Sequence, residues 1–235
     1  MPKEGKATKQ PWAGEAKTKA AKGLKAKKPA KSARRSAATL ETARVIGSEV
    51  VFDGPLFRVD RDTLIEPGGS ENKRDIVRHN GSAVILAIDG AKKNPWIVME
   101  RQYRHAAGQY LWELPAGKIE PGEDPMEGAQ RELAEETGYR AKKWRPTITF
   151  YPSPGFLGES MTIYLAEGLT AGDATPEEDE KIELRLVKLS EVLKMIGKGA
   201  ILDGKTLCGV LWYARFSKAK GRKKLKKVVD IIDSK

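Results

Sequence analysis

The sequence predicts an α+β fold, an α-β-α sandwich around a mixed sheet with a small antiparallel sheet ahead of it. Three observations predict it. Short β-rich runs and helical stretches intermingle along the chain without a regular βαβ rhythm. The run from Ser82 to Ile88 is continuously apolar yet only long enough for a buried strand. Upstream of it, turn residues punctuate apolar runs as they do in hairpins.

In chain order, Val50-Val51-Phe52 and Leu56-Phe57-Arg58-Val59 flank Asp53-Gly54-Pro55, a strand pair around a turn. Thr63 to Glu66 runs into Pro67-Gly68-Gly69, and Lys73 to His79 reads as a third strand. After the strand Ser82–Ile88, Asp89-Gly90 turns the chain and Trp96 to Met99 extends again. Further strands are expected at Ile148–Phe150, Met161–Ala166 and Ile182–Val187. A helix is expected from about Pro125 to Thr137, with Asp124 as N-cap, Pro125 at the first position and Gly138 as the stop. Met126, Ala129 and Leu133 make its apolar stripe. A helix near Ser190–Lys198 takes Ser190 as its candidate cap. A last helix near Lys205–Lys218 has Leu207, Leu211 and Ala214 spaced for a buried face.

The formal net charge of +11 is concentrated at the two ends of the 235 residues. Residues 1–44 hold 13 basic and 3 acidic side chains, and residues 216–235 hold 8 and 2, so the stretch between them is mildly acidic. The high pI therefore does not make the whole protein a nucleic-acid binder. The expected organisation is a disordered basic arm (1–44), an N-terminal β subdomain (45–80), a main domain (81–215) and a basic tail (216–235). The arm alternates Lys and Ala with almost no large apolar residue, so burial could not offset its ordering entropy. Either it is a solvated tail or it makes weak, salt-sensitive contact with nucleic acid. The single cysteine, Cys208, lies in an apolar context and reads as a buried, inert thiol of a reducing compartment. No apolar run approaches the roughly 18–20 residues of a membrane span, and the N-terminus lacks an apolar signal segment. Ala, Ser and Arg, common in mitochondrial presequences, occur near the N-terminus, but Lys dominates there and no amphipathic apolar stripe is visible. A cytoplasmic location without a membrane partner is the expectation.

The acids of the 125–137 helix carry the chemistry. Glu132, Glu135 and Glu136 stand at i, i+3 and i+4, so their carboxylates project from one face within one turn. Such a cluster repels itself unless cations intervene, and hard oxygen ligands suit Mg²⁺ or Mn²⁺. Arg131 can pair with Glu123 and hold the preceding loop, shaped by Gly117 and Pro121-Gly122, to the helix. No His or Cys cluster supports zinc. A Glu-x-x-Glu-Glu alone is usually surface decoration.

Here, however, Gly117, Glu123, Arg131, Glu132, Leu133, Glu135, Glu136, Gly138 and Tyr139 fill every position of the Nudix signature. The chain resembles Nudix hydrolases over about residues 45–200. The resemblance implies a Nudix-type α-β-α sandwich, with Glu132, Glu135, Glu136 and the Ala116 carbonyl as magnesium ligands. Met99–Arg104, Leu111–Gly117 and Phe150–Glu159 look like the ADP-ribose pyrophosphatase branch, where a proline about fifteen residues past the box accompanies ADP-ribose specificity. Pro154 sits there, although it and Pro152 could simply stiffen a loop.

The acidic loop Pro176–Glu183 by itself reads as a solvated charge run. In the branch, the equivalent loop supplies a mobile glutamate that orients or deprotonates the attacking water. Glu178 matches best, and Glu180 is a possible further metal contact. Glu178, Glu136 and Arg131 then form the catalytic set. Arg104 is the candidate for a bidentate diphosphate contact and Arg101 the alternative, with a plain surface charge the other reading of each. Glu113 and Glu159 are candidate acceptors for ribose or adenine. Branch members usually pair as homodimers through the N-terminal sheet. The implied reaction is magnesium-dependent hydrolysis of ADP-ribose to AMP and ribose 5-phosphate. A GDP-sugar or UDP-sugar pyrophosphatase is the alternative within the class, and a non-catalytic Nudix-like binding module the alternative outside it.

Overall fold

The computed structural model describes residues 41–90, 93–175 and 181–217. The arm up to residue 40, the tail from 218, and both Glu178 and Glu180 lie outside the described residues. The first three strands, β1 (Arg44–Asp53), β2 (Arg58–Ile65) and β3 (Glu71–Arg78), form an antiparallel sheet in that order. Asp53 pairs with Arg58 across the expected Gly54-Pro55 turn. The second turn needs its glycines, since Gly68 and Gly69 have φ of 99° and 91°. β1 is exposed along its whole length.

The second sheet has seven strands. Its path runs β10 (Glu183–Lys188), β5 (Trp96–Arg104), β4 (Ser82–Asp89), β9 (Met161–Thr170) and β8 (Arg140–Phe150). β4 and β9 are parallel, while the other described pairings are antiparallel, so the sheet is mixed. β4 and β5 pair only at Ile88–Ile97 and Asp89–Trp96 and then part. Into the gap come β6 (Gln109–Glu113), paired to β5, and β7 (Ala116–Lys118), paired to β4. Both occupy the facing edges: Arg101 pairs with Trp112 on one side and Glu183 on the other, and Val84 pairs with Ala116 and Ile163. This splayed pair is where Glu113, Ala116 and Gly117 converge.

The apolar run of β4 is explained by burial on both faces. Val84, Leu86 and Ile88 join Met99, Leu114 and Ile163 beneath α2 (Leu189–Gly197) and α3 (Gly204–Phe216). Ala83, Ile85 and Ala87 pack with Ala129, Leu133 and Ala166 beneath α1 (Pro125–Thr137). The sandwich expected from the sequence is therefore present, with one helix on one side and two on the other. β3 is tied to the connection between β8 and β9 at Val77, whose N–H donates to the Phe156 carbonyl at 2.8 Å. Its own carbonyl accepts from Gly158 N–H at 2.9 Å.

α1 begins and ends where expected. The Asp124 side chain accepts from the amides of Met126 and Glu127, and Gly138 closes the helix at φ 71°. Four expectations need correction. β8 is 11 residues long, not three, because as an edge strand it tolerates the Lys- and Pro-containing stretch that disguises it. Gly117 is in a strand, β7, rather than a loop. Ser190 does not cap α2; instead the side-chain Oδ1 of Asn94 accepts from Ser190 N–H at 2.9 Å, a cap supplied from 96 residues away. In α3, Leu211 is 47% exposed, and Thr206, Gly209, Val210 and Tyr213 form the buried stripe. Tertiary packing instead turned Val210 and Tyr213 into the core with Gly209, which lies against Leu114, where a Cβ would come within 2.8 Å.

Candidate active site

The site is built where the end of α1 meets β7. Glu136 is 5% exposed, and its Oε2 accepts from Ala116 N–H at 3.1 Å. Glu132 lies over the next residue, so closely that a Cβ on Gly117 would stand 1.8 Å from its carboxyl carbon. Gly117 is thus required for space, and its absent side chain is the cradle in which the Glu132 carboxylate rests. Glu135 points outward, with its side chain 44% exposed. Its backbone carbonyl accepts from Thr175 N–H at 2.9 Å, which docks the end of the stretch after β9 onto the helix. Between them, Arg131, Ala134, Glu135, Arg140, Asp173 and Thr175 line an open cavity of about 300 Å³.

Arg131 ties these parts together. Its guanidinium donates to both oxygens of Glu123 at 2.9 and 3.1 Å, and to Glu132 and Glu135 at 2.8 and 3.0 Å. It also donates to the Lys118 carbonyl at 3.2 Å. Hydrogen bonding to Arg131 is the main reason the Glu123 carboxyl is held below its ordinary range. The same contacts raise Arg131 far above its own ordinary value. The sequence expectation of a Glu123–Arg131 clamp is met, and the clamp also spans two of the acidic cluster.

The three glutamates fan around the helix rather than meeting at a point. Among the described residues no three His, Cys, Asp or Glu side chains are gathered closely enough to enclose a metal ion. Even so, the donor set suits a hard divalent cation. Glu132 and Glu136 flank the Ala116–Gly117 backbone from one helical face, and every donor there is oxygen.

Arg104 and Arg101 part company. Val98 belongs to the α1 side of the sheet and Met99 to the other, so alternation along β5 puts Arg104 on the α1 side and Arg101 opposite. Arg101 stacks 5.3 Å over Tyr110 and 5.8 Å over Trp112, and lies 3.7 Å from Glu183. The structure therefore does not bring Arg101 to the acidic helix. Arg104 donates from Nε and Nη2 to the two oxygens of Glu113 at 3.0 and 2.9 Å. Those bonds chiefly hold its guanidinium above the ordinary value, with the nearby charges of Glu100 and Glu136 adding to the effect.

Glu113, expected to accept from a sugar or base, is 1% exposed and already engaged by Arg104 and by Lys205 of α3. Burial pushes its carboxyl up, but the two cations outweigh that and hold it below the ordinary range. Glu159 is likewise committed: its Oε1 accepts from Ser82 Oγ at 2.5 Å, beside His79. Pro154 stands exposed in the turn that Ser153 closes by accepting from Leu157 N–H at 3.0 Å. Lys205, Asp203 and Thr206 were not singled out from the sequence. The available signal was a lysine in the first turn of an otherwise apolar helix.

A NUDIX domain family model matches residues 78–208. The chain is 40% identical over 169 residues to a methanol dehydrogenase activator of Bacillus methanolicus, covering 71% of this chain and 90% of that one. It is 38% identical over 165 residues to an ADP-ribose pyrophosphatase of Bacillus subtilis (strain 168), covering 69% and 88%. In fold it resembles a crystal structure described as an ADP compounds hydrolase. That match has a TM-score of 0.67 and 20% identity, over 79% of this chain and 100% of that one. By the family match and these relatives, the chain belongs to the NUDIX domain family and is a Nudix hydrolase.

Proposed function

We propose that the protein hydrolyses ADP-ribose to AMP and ribose 5-phosphate with Mg²⁺ as the resident ion and Mn²⁺ as a substitute. The observation that carries this reading is the seating of Glu132 and Glu136 on the Ala116–Gly117 backbone, with the Arg104 fork on the same side of the sheet. The likeness to an ADP-ribose pyrophosphatase supports the substrate.

Glu132, Glu135, Glu136 and the Ala116 carbonyl would hold the ion. A bound Mg²⁺ supplies charge neutralisation on the diphosphate, polarisation of phosphorus and a lower pKa for the attacking water. Arg131 fixes the loop and the helix relative to one another. Arg104 takes diphosphate oxygens with the guanidinium edge that Glu113 leaves open. Water's oxygen bonds to one phosphorus as the bridging P–O bond breaks, and the bridging oxygen leaves on the other phosphate. Glu178 is the proposed base that accepts the water's proton, with Glu180 a further metal contact. Both lie just past Thr175, whose docking on Glu135 supports bringing that loop to the site. Pro154 remains a substrate-side candidate on a turn fastened to the N-terminal sheet.

A homodimer through the N-terminal sheet is supported by β1, where Val50 and Phe52 are 56% and 51% exposed. The single cysteine supports a cytoplasmic location. No described helix is long and apolar enough to cross a membrane.

Purified protein should release AMP from ADP-ribose and fall silent with EDTA. Glu178→Gln should slow turnover while sparing magnesium-dependent substrate binding; equal loss at Glu180→Gln instead would move the base two residues. Comparing kcat/KM across ADP-ribose, GDP-sugars and UDP-sugars tests the substrate, and preference for either of the latter would replace it.

A further inference from the structure

α3 lies on the far side of the sheet from α1, yet its first turn holds the strand end that carries Glu113. Thr206 Oγ1 accepts from Leu114 N–H at 2.7 Å while donating to Asp203 Oδ2 at 2.6 Å. Lys205 Nζ donates to Glu113 Oε2 and lies 3.2 Å from Asp203 Oδ1. Two consecutive residues of the helix thus grip the last residue of β6, Glu113, by charge and the residue after it, Leu114, by its backbone.

Glu113 pairs with Glu100 in register, so its side chain points to the α1 side, whereas α3 packs with Leu114 on the other. Lys205 of α3 nevertheless bonds it. The lysine is 8% exposed. A buried ammonium is costly unless it is paired, and here its partner is the carboxylate that aims Arg104. Glu113 spends one oxygen on Arg104 Nε and shares the other between Arg104 Nη2 and Lys205. That leaves three of the five guanidinium donors without a partner among the described residues, two of them side by side on the outer Nη1–Nη2 edge.

We infer that Lys205 is a positioning residue for the hydrolytic site, fixing Glu113 so that the free edge of Arg104 is held as a rigid fork for the diphosphate. The inference rests on the proposed reading of Arg104 as a diphosphate contact. Without Lys205 the Glu113 carboxylate gains rotational freedom, and Arg104 swings with it.

The test is a double-mutant cycle in the full-length protein with Lys205→Met, Arg104→Ala and their combination. Lys205→Met is expected to raise KM for ADP-ribose about tenfold with a smaller change in kcat. In the Arg104→Ala background the same change should have almost no effect, because coupled residues do not add. A residue that only supports the fold would give equal losses in both backgrounds, and that result overturns the inference. Should Lys205→Met not accumulate as folded protein, Glu113→Gln replaces it with the same expected non-additivity. A wild type inert toward every nucleotide diphosphate defeats the functional reading instead. The cycle is then read from calorimetric binding of ADP, where additive losses overturn the inference by themselves.

Discussion

Helices α1 and α3 press on opposite faces of one strand, β4, and are held there by different physics. Under α1 four alanines, Ala83, Ala87, Ala129 and Ala166, sit among Ile85, Val98, Ile119 and Tyr164, and Leu133 is the one large apolar side chain that the helix itself buries. Its position is then set by polar contacts near in sequence, the Asp124 cap and the Arg131 clamp. Under α3 the contacts are bulky, with Val210, Trp212 and Tyr213 against Val84, Leu86 and Leu114. Its polar grip reaches β6, 92 residues away. The difference teaches that the helix bearing the acids is aimed by hydrogen bonds while the helix behind the sheet is seated by volume. Substitutions in the first should cost activity before stability, and in the second stability before activity.

The largest effect is expected at Glu136→Gln. The amide still accepts from Ala116 N–H but no longer carries charge, so AMP release should fall about 10²–10³-fold with the thermal midpoint nearly unchanged. Undiminished turnover would remove Glu136 from the metal assignment. Next is Gly117→Ala. The new methyl displaces only the flexible end of Glu132, so Mn²⁺ affinity, read by titration, should drop about 10–100-fold while the fold persists.

Its counterpart on the other face is Gly209→Ala, where the methyl meets the packed Leu114 side chain at 2.8 Å. Denaturant unfolding should register about 1–3 kcal/mol of lost stability, with kcat changed little. If Gly117→Ala proved the more destabilising of the pair, the contrast between the faces would fail.

A smaller effect separates the two by pH. Arg131 holds the folded Glu123 carboxyl below its unfolded value, so that stability is fully present above about pH 4–5 and is lost as pH falls through the folded value. Glu123→Gln should flatten the acid limb of unfolding free energy against pH, and an unchanged limb would deny the clamp. Smallest is Asp124→Ala, which removes two capping bonds and should cost about 1 kcal/mol by the same measurement.

α1 was legible because its signals are local. Cap, first-turn proline, apolar stripe and terminal glycine all lie within residues 124–138, and the backbone answers to them directly. The clamp between Glu123 and Arg131 was legible for the same reason, as was the burial of β4. β8 was hidden because an edge strand has one neighbour and can carry lysines and a proline that deny a central strand. The wrong face of α3 followed from counting apolar residues where the sheet selected the small Gly209.

By itself, then, the sequence determined the carboxylate helix, its limits and the chemistry those acids favour, since each rests on contacts a few residues long. Only the tertiary structure decided which arginine of β5 faces that helix, what occupies Glu113, and that a lysine from α3 stands behind it. Those depend on strand parity and on where β4 and β5 separate. Such long-range geometry arises when the whole core packs at once, and no short window of residues encodes it.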